Sequence, residues 1–60
     1  MTPKEVWNNK LSNGKKAEIL AKTLLYGLGL GDKEMGQWLI KENDKLKKKY
    51  NCKEDIFIPS

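Results

Sequence analysis

The chain has 60 residues, 38% of them hydrophobic and 33% charged, and a formal net charge of +4. One domain is the upper limit at that length, and its core is marginal, because a chain of about 60 residues buries only about 60% of the surface it exposes when unfolded. With no histidine and one cysteine, Cys52, an intramolecular disulfide is excluded and a zinc or iron site on nitrogen and sulfur ligands lacks its donors.

The first predicted helix covers about residues 3–11. Thr2, Pro3 and Glu5 give it a capping box with proline in the first turn, and Val6, Trp7 and Leu11 share one face. Ser12-Asn13-Gly14 is a turn signal that can also cap the second helix. That helix, about residues 14–27, has the clearest period. Ala17, Leu20, Ala21, Leu24, Leu25 and Leu28 form one stripe at 100° per residue, as a core-facing helix does. Gly27-Leu28-Gly29-Leu30-Gly31 then suits a helix stop and a tight reversal, with Leu28 and Leu30 expected in the core.

Asp32 caps the third helix, about residues 32–50, and Glu34 sits near the positive end of its dipole. Met35, Trp38, Leu39, Leu46 and Tyr50 share its inner face. Glu42 falls inside that stripe, where it calls for a lysine partner or an interface. Asn51 is the expected stop. The tail, residues 52–60, is too short for a helix and reads as an extended arm, either lying on the helices or waiting as an unpaired strand for another chain. The expected fold is all-α: a compact three-helix domain with an extended C-terminal arm, its core built from Trp7, Leu20, Leu24, Leu28, Trp38, Leu39 and Leu46.

Catalysis has little to stand on, because the chain lacks histidine and places no pair of carboxylates in an apolar cleft. No catalytic, cofactor-binding or metal-binding residue is assigned. The glycine cluster follows a periodic helix rather than a strand and lacks the Gly-Lys-Ser or Gly-Lys-Thr of a phosphate loop, so it reads as a turn. Residues Ala21 to Ile40 resemble the generic helix-turn-helix pattern of DNA-binding proteins. Gly29 would be the turn glycine, and Leu24, Leu28, Leu30, Met35 and Trp38 fall at its apolar positions. The resemblance implies DNA binding by the third helix. It departs from the pattern at Leu25, where a small residue is normal, and at Gly27. Residues 32–44 also carry a local net charge of −2, which repels phosphates, and Gln37 alone is suited to an adenine edge.

All twelve basic residues are lysine, a hydrated point charge rather than a bidentate reader; an AT-rich coding sequence accounts for this without any function. Residues 1–16 carry net +3, and Lys45, Lys47, Lys48 and Lys49 add +4. If the first and third helices lie side by side, these form a patch for nucleic acid or another anionic surface. Opposite the main stripe of the second helix, Ile19, Thr23 and Tyr26 form a ridge bordered by Lys15, Lys16 and Lys22. Apolar surface beyond the needs of the core marks contacts, so this ridge is the expected docking face for an acidic protein partner.

The expected function is that of a small non-catalytic accessory regulator or inhibitor docking on a larger protein, of the kind phages and mobile elements encode. The alternatives are a helix-turn-helix DNA-binding regulator and a self-assembling structural subunit, with homo-oligomers a partner class beside protein and weakly bound nucleic acid. No apolar run is long enough to span a membrane, and the N-terminus lacks a signal-peptide core. The expected location is the cytoplasm, that of the host cell for a phage protein.

Overall fold

Capping residues set the limits of each helix. In a computed structural model that describes residues 1–57, Thr2 and Glu5 close a reciprocal box: the Glu5 amide donates to the Thr2 hydroxyl at 3.2 Å, and the Thr2 amide donates to the Glu5 carboxylate at 3.2 Å. The Thr2 amide, then the Thr2 hydroxyl donating to the same carboxylate at 3.0 Å, hold the Glu5 carboxyl below its usual range. Helix α1 (Pro3–Glu5) is a single turn that continues directly as a π-helical segment, Val6–Lys10. That widening is a departure from the ordinary helix expected over residues 3–11. A π turn bonds i to i+5, so it leaves no signature in a 3.6-residue apolar period. Val6 lies fully buried at its start.

Helix α2 (Asn13–Gly27) starts on the Ser12 hydroxyl, which accepts from the Lys15 amide at 3.1 Å. It ends with Gly29 at φ +78; the Leu30 amide donates to the Leu25 carbonyl and the Gly29 amide to that of Tyr26. This pair of bonds satisfies carbonyls that a helix end leaves open, and it needs the left-handed residue that glycine adopts without strain. Helix α3 (Lys33–Lys49) starts on Asp32, whose carboxylate accepts from the Met35 amide at 2.8 Å. It stops the same way, with Asn51 at φ 50 and the Cys52 amide donating to the Lys47 carbonyl at 2.9 Å. The three-helix, all-α reading therefore holds, without strands among the described residues.

The packing of α2 on α3 differs from what the period suggests. The buried apolar side chains are Val6, Ile19, Leu39, Leu46 and Cys52. Helix α3 presents Gly36, Leu39, Glu42, Asn43 and Leu46 inward, with Trp38 half-buried beside them. Glu42 is the demanding member, since a carboxylate taken out of water must be paired. Lys15 of α2 supplies the pair at 3.1 Å, and this bond holds the Lys15 ammonium above its ordinary pKa. The raised lysine pKa contributes stability that is full at neutral pH and is lost as the pH rises through the folded value, above the usual lysine range. Two turns on from Lys15, the Lys22 ammonium lies 3.9 Å from the centre of the Trp38 ring, within the range of a cation–π contact. Glu18 holds both lysines, at 3.7 Å from Lys15 and 3.1 Å from Lys22. Tyr26 seats its ring over Gly36, where an added Cβ would come within 2.8 Å of the ring.

The tail is corrected in part. Residues 52–57 form bends and irregular backbone against α3, not an extended arm or a strand. Asn43, buried in the middle of α3, is their clamp. Its amide nitrogen donates to Asp55 at 2.8 Å, and its oxygen accepts from the amides of Ile56 and Phe57 at 2.8 and 3.1 Å. Lys47 adds an ion pair to Asp55 at 3.2 Å. Residues 58–60 of the expected arm lie outside the described residues.

Two measurements probe this packing. Lys15→Met strands the Glu42 carboxylate and is expected to cost roughly 1–3 kcal/mol, less than a fully buried pair because Lys15 remains partly solvated. The double change Lys15→Met with Glu42→Met should recover most of that loss. Urea midpoints of the four chains in a double-mutant cycle measure it, and additive effects would show that the pair is not coupled. The second measurement concerns acid. The Asn43 hydrogen bond, then the Lys47 charge, hold the Asp55 carboxyl below its usual range. A depressed pKa stabilises the fold above the ordinary carboxylate value of about 4, and that stabilisation is lost as the pH falls through the folded value. Below about pH 4 the Asp55 anchor of residues 52–57 should loosen, read as a shift of the Asn43 side-chain amide resonances in an NMR titration.

Candidate functional site

With Lys15, Ile19, Lys22 and Tyr26 turned toward α3, the opposite side of α2 faces outward. Ala17, Leu20, Ala21, Leu24 and Leu28 are all exposed, with Leu25 at the margin. Leu20, Leu24 and Leu28 are 58%, 63% and 64% exposed, and Leu30, just past the helix end, is 73% exposed. The charged side chains of α2 lie elsewhere: Lys15, Glu18 and Lys22 are linked to one another and to α3, and Lys16 is half-buried at the border. The result is a leucine-rich face without a formal charge, on a chain that is one-third charged. Exposed leucines scattered singly are ordinary, whereas a contiguous apolar stripe marks a contact surface.

This overturns the placement of the expected docking ridge. Ile19 is 1% exposed, Tyr26 packs one side of its ring on Gly36 while remaining 37% exposed, and the Thr23 hydroxyl is shut away from solvent with no hydrogen-bond partner among the described residues. The ridge is the inner face of α2. Its supposed rim lysines, Lys15 and Lys22, serve Glu42 and Trp38. For the same reason Leu20, Leu24 and Leu28 leave the expected core, and Leu28 and Leu30 are not buried by the turn. The physical cause is complementarity. The inner face of α3 offers a carboxylate, an indole ring and a glycine notch, which lysines and a tyrosine satisfy and leucines do not. The signal was present in Glu42, an acid within an apolar stripe, read against lysines at 15 and 22 on one face of the preceding helix.

The residues expected to form an anionic-ligand surface are divided. Lys45 and Lys49 line an open cavity of about 230 Å³ together with Lys10, Ser12, Lys15 and Tyr50. The end of the π-helical segment thus meets the C-terminal half of α3, and the two basic ends do converge. Lys47 is diverted to Asp55, while Lys48 and Gln37 are exposed and outside that cavity. A second open cavity, about 400 Å³, lies between the N-terminus and the turn after α3; its Glu5 is committed to the Thr2 cap. Among the described residues no three histidine, cysteine, aspartate or glutamate side chains gather as a metal cluster, and no helix is long and apolar enough to cross a membrane. The Cys52 thiol is buried and donates to the Glu54 carbonyl at 3.2 Å. Comparison with protein-family models, curated proteins and solved structures finds no match to this chain.

The two faces of α2 should separate in stability measurements made at protein concentrations low enough to keep the chain monomeric. Ile19→Ala is expected to cost about 2–5 kcal/mol, enough to unfold much of so small a domain. Leu24→Ala should stay within about 0.5 kcal/mol of the parent, as surface changes do. Thermal melts followed by circular dichroism test this, and the reverse order would put the leucine stripe back in the core.

Proposed function

We propose that this chain is a non-catalytic interaction module that works by presenting the outer face of α2 to another polypeptide. The observation that carries the reading is the uncharged stripe of Ala17, Leu20, Ala21, Leu24 and Leu28, left uncovered while Lys15 and Lys22 of the same helix are engaged on its inner face. Burying apolar area is the main favourable term in protein association, and interface cores are depleted of charge while their rims keep it. On this reading the chain acts by occupying a surface, the role of an accessory regulator or inhibitor where the surface belongs to a larger protein.

A second reading has its own support. Lys10, Lys45 and Lys49 around one cavity form a cationic groove that would attract nucleic acid or another polyanion, steeply dependent on salt. A helix-turn-helix mode is less well supported, because the first turn of α3 carries Asp32 and Glu34, and Asp32 is spent as the cap.

The deciding experiment immobilises the chain and exposes it to extract of the cell that makes it, with and without nuclease. Proteins retained by the parent chain should be lost with Leu24→Lys and kept with Lys45→Ala plus Lys49→Ala, and nuclease should not matter. Loss with the lysine changes and with nuclease, but not with Leu24→Lys, would move the function to the groove.

A further inference from the structure

We infer that the occupant of the leucine face is a second copy of this chain, with the two α2 helices antiparallel about a two-fold axis near residues 22 and 23. The inference rests on the docking reading and names its partner. Ala17, Ala21, Leu24 and Leu28 are spaced four, three and four residues apart, the spacing of a coiled-coil seam, and Leu20 and Leu25 flank it. The side chains are ordered by size: the N-terminal half of the seam is alanine and the C-terminal half leucine. An antiparallel pair sets Ala17 of one copy against Leu28 of the other, and Ala21 against Leu24, so each layer of the seam joins a small side chain to a large one and the helices keep an even separation. A parallel pair would set alanine on alanine at one end and leucine on leucine at the other, leaving a gap that native packing does not tolerate.

Charge points to the same occupant. Two chains of net charge +4 repel, so a self-interface must be one from which like charges are absent. The outer face of α2 meets that condition, since Lys15 and Lys22 are held on the inner face by Glu42, Glu18 and Trp38. Antiparallel helices also bring opposite dipole ends together. A two-fold contact is self-complementary and closes at the dimer. The leucines of α2 and Leu30 together expose about as much surface as three wholly free leucines, a patch that two copies bury at once. The pair would in turn supply the apolar burial that a 60-residue chain lacks.

Sedimentation equilibrium from micromolar to millimolar chain tests the state. The mass should rise from 6.9 kDa to twice that value, and Leu24→Lys should hold it at one chain with an unchanged helical circular dichroism spectrum. Orientation is tested with thiols. Ala17→Cys and Leu28→Cys chains, mixed under mild oxidation, should form a covalent dimer several-fold faster than either variant alone; the parent, whose Cys52 is buried, is the control. A chain that stays monomeric throughout overturns the inference. If that monomer binds an apolar fluorescent dye through a face that Leu24→Lys abolishes, the docking reading survives with a different partner; if it binds none, both fall. Binding of the monomer to phosphatidylserine vesicles through the same face would replace the second copy with a lipid surface. Fast cross-linking of Ala17→Cys by itself would overturn the antiparallel arrangement.

Discussion

The carboxylate of Glu42 is the constraint on which the arrangement of the helices depends. It sits in the inner face of α3 between Leu39 and Leu46, where an unpaired charge would remove a large part of the stability of so small a domain. Whatever covers α3 must therefore bring a cation to that point, and Lys15 does so from the first turns of α2. Once Lys15 faces α3, the rest of the helix is set by its period. Ile19, Lys22 and Tyr26 come round on the same side, and the leucines are carried to the other.

The contact that results is mixed in character. Ile19 and Leu39 are apolar and fully buried, but beside them lie a cation over an indole ring and a tyrosine ring in a glycine notch. Such pairs contribute through direction as well as burial, so they specify one register of α2 on α3 more sharply than a leucine seam would. The cost is visible in the Thr23 hydroxyl, buried without a partner among the described residues, and in the large apolar area left on the outside. The stability and the proposed function have a common origin, because the charges spent inside are those missing from the outer face.

At the next position of α3, Asn43 performs for the C-terminal segment what Lys15 does for α2. A single buried amide satisfies a carboxylate and two backbone amides, and Lys47 is drawn into the same group. This divides the run of lysines at positions 45 to 49. Lys45 and Lys49 remain on the side of Lys10 and the groove, and the strongest concentration of positive charge in the sequence is only partly available to a ligand.

Where the helices start and stop was legible from the residues alone, because those signals are local: a hydroxyl or carboxylate meets an amide three residues on, and Gly29 and Asn51 close their helices within six residues. The inner face of α3 was legible too, with Leu39 and Leu46 buried and Ile40 outside, and Glu42 stood out as needing a partner. The π-helical segment was not legible, since a changed hydrogen-bond register carries no side-chain signature over five residues. Which face of α2 lies inside was settled by tertiary contacts and by nothing local. That helix has two apolar faces, and periodicity measures how regular each is, not what it will meet. The leucine stripe is the more regular, but burial is settled by the surface opposite, and a carboxylate, an indole ring and a notch select lysine and tyrosine over leucine.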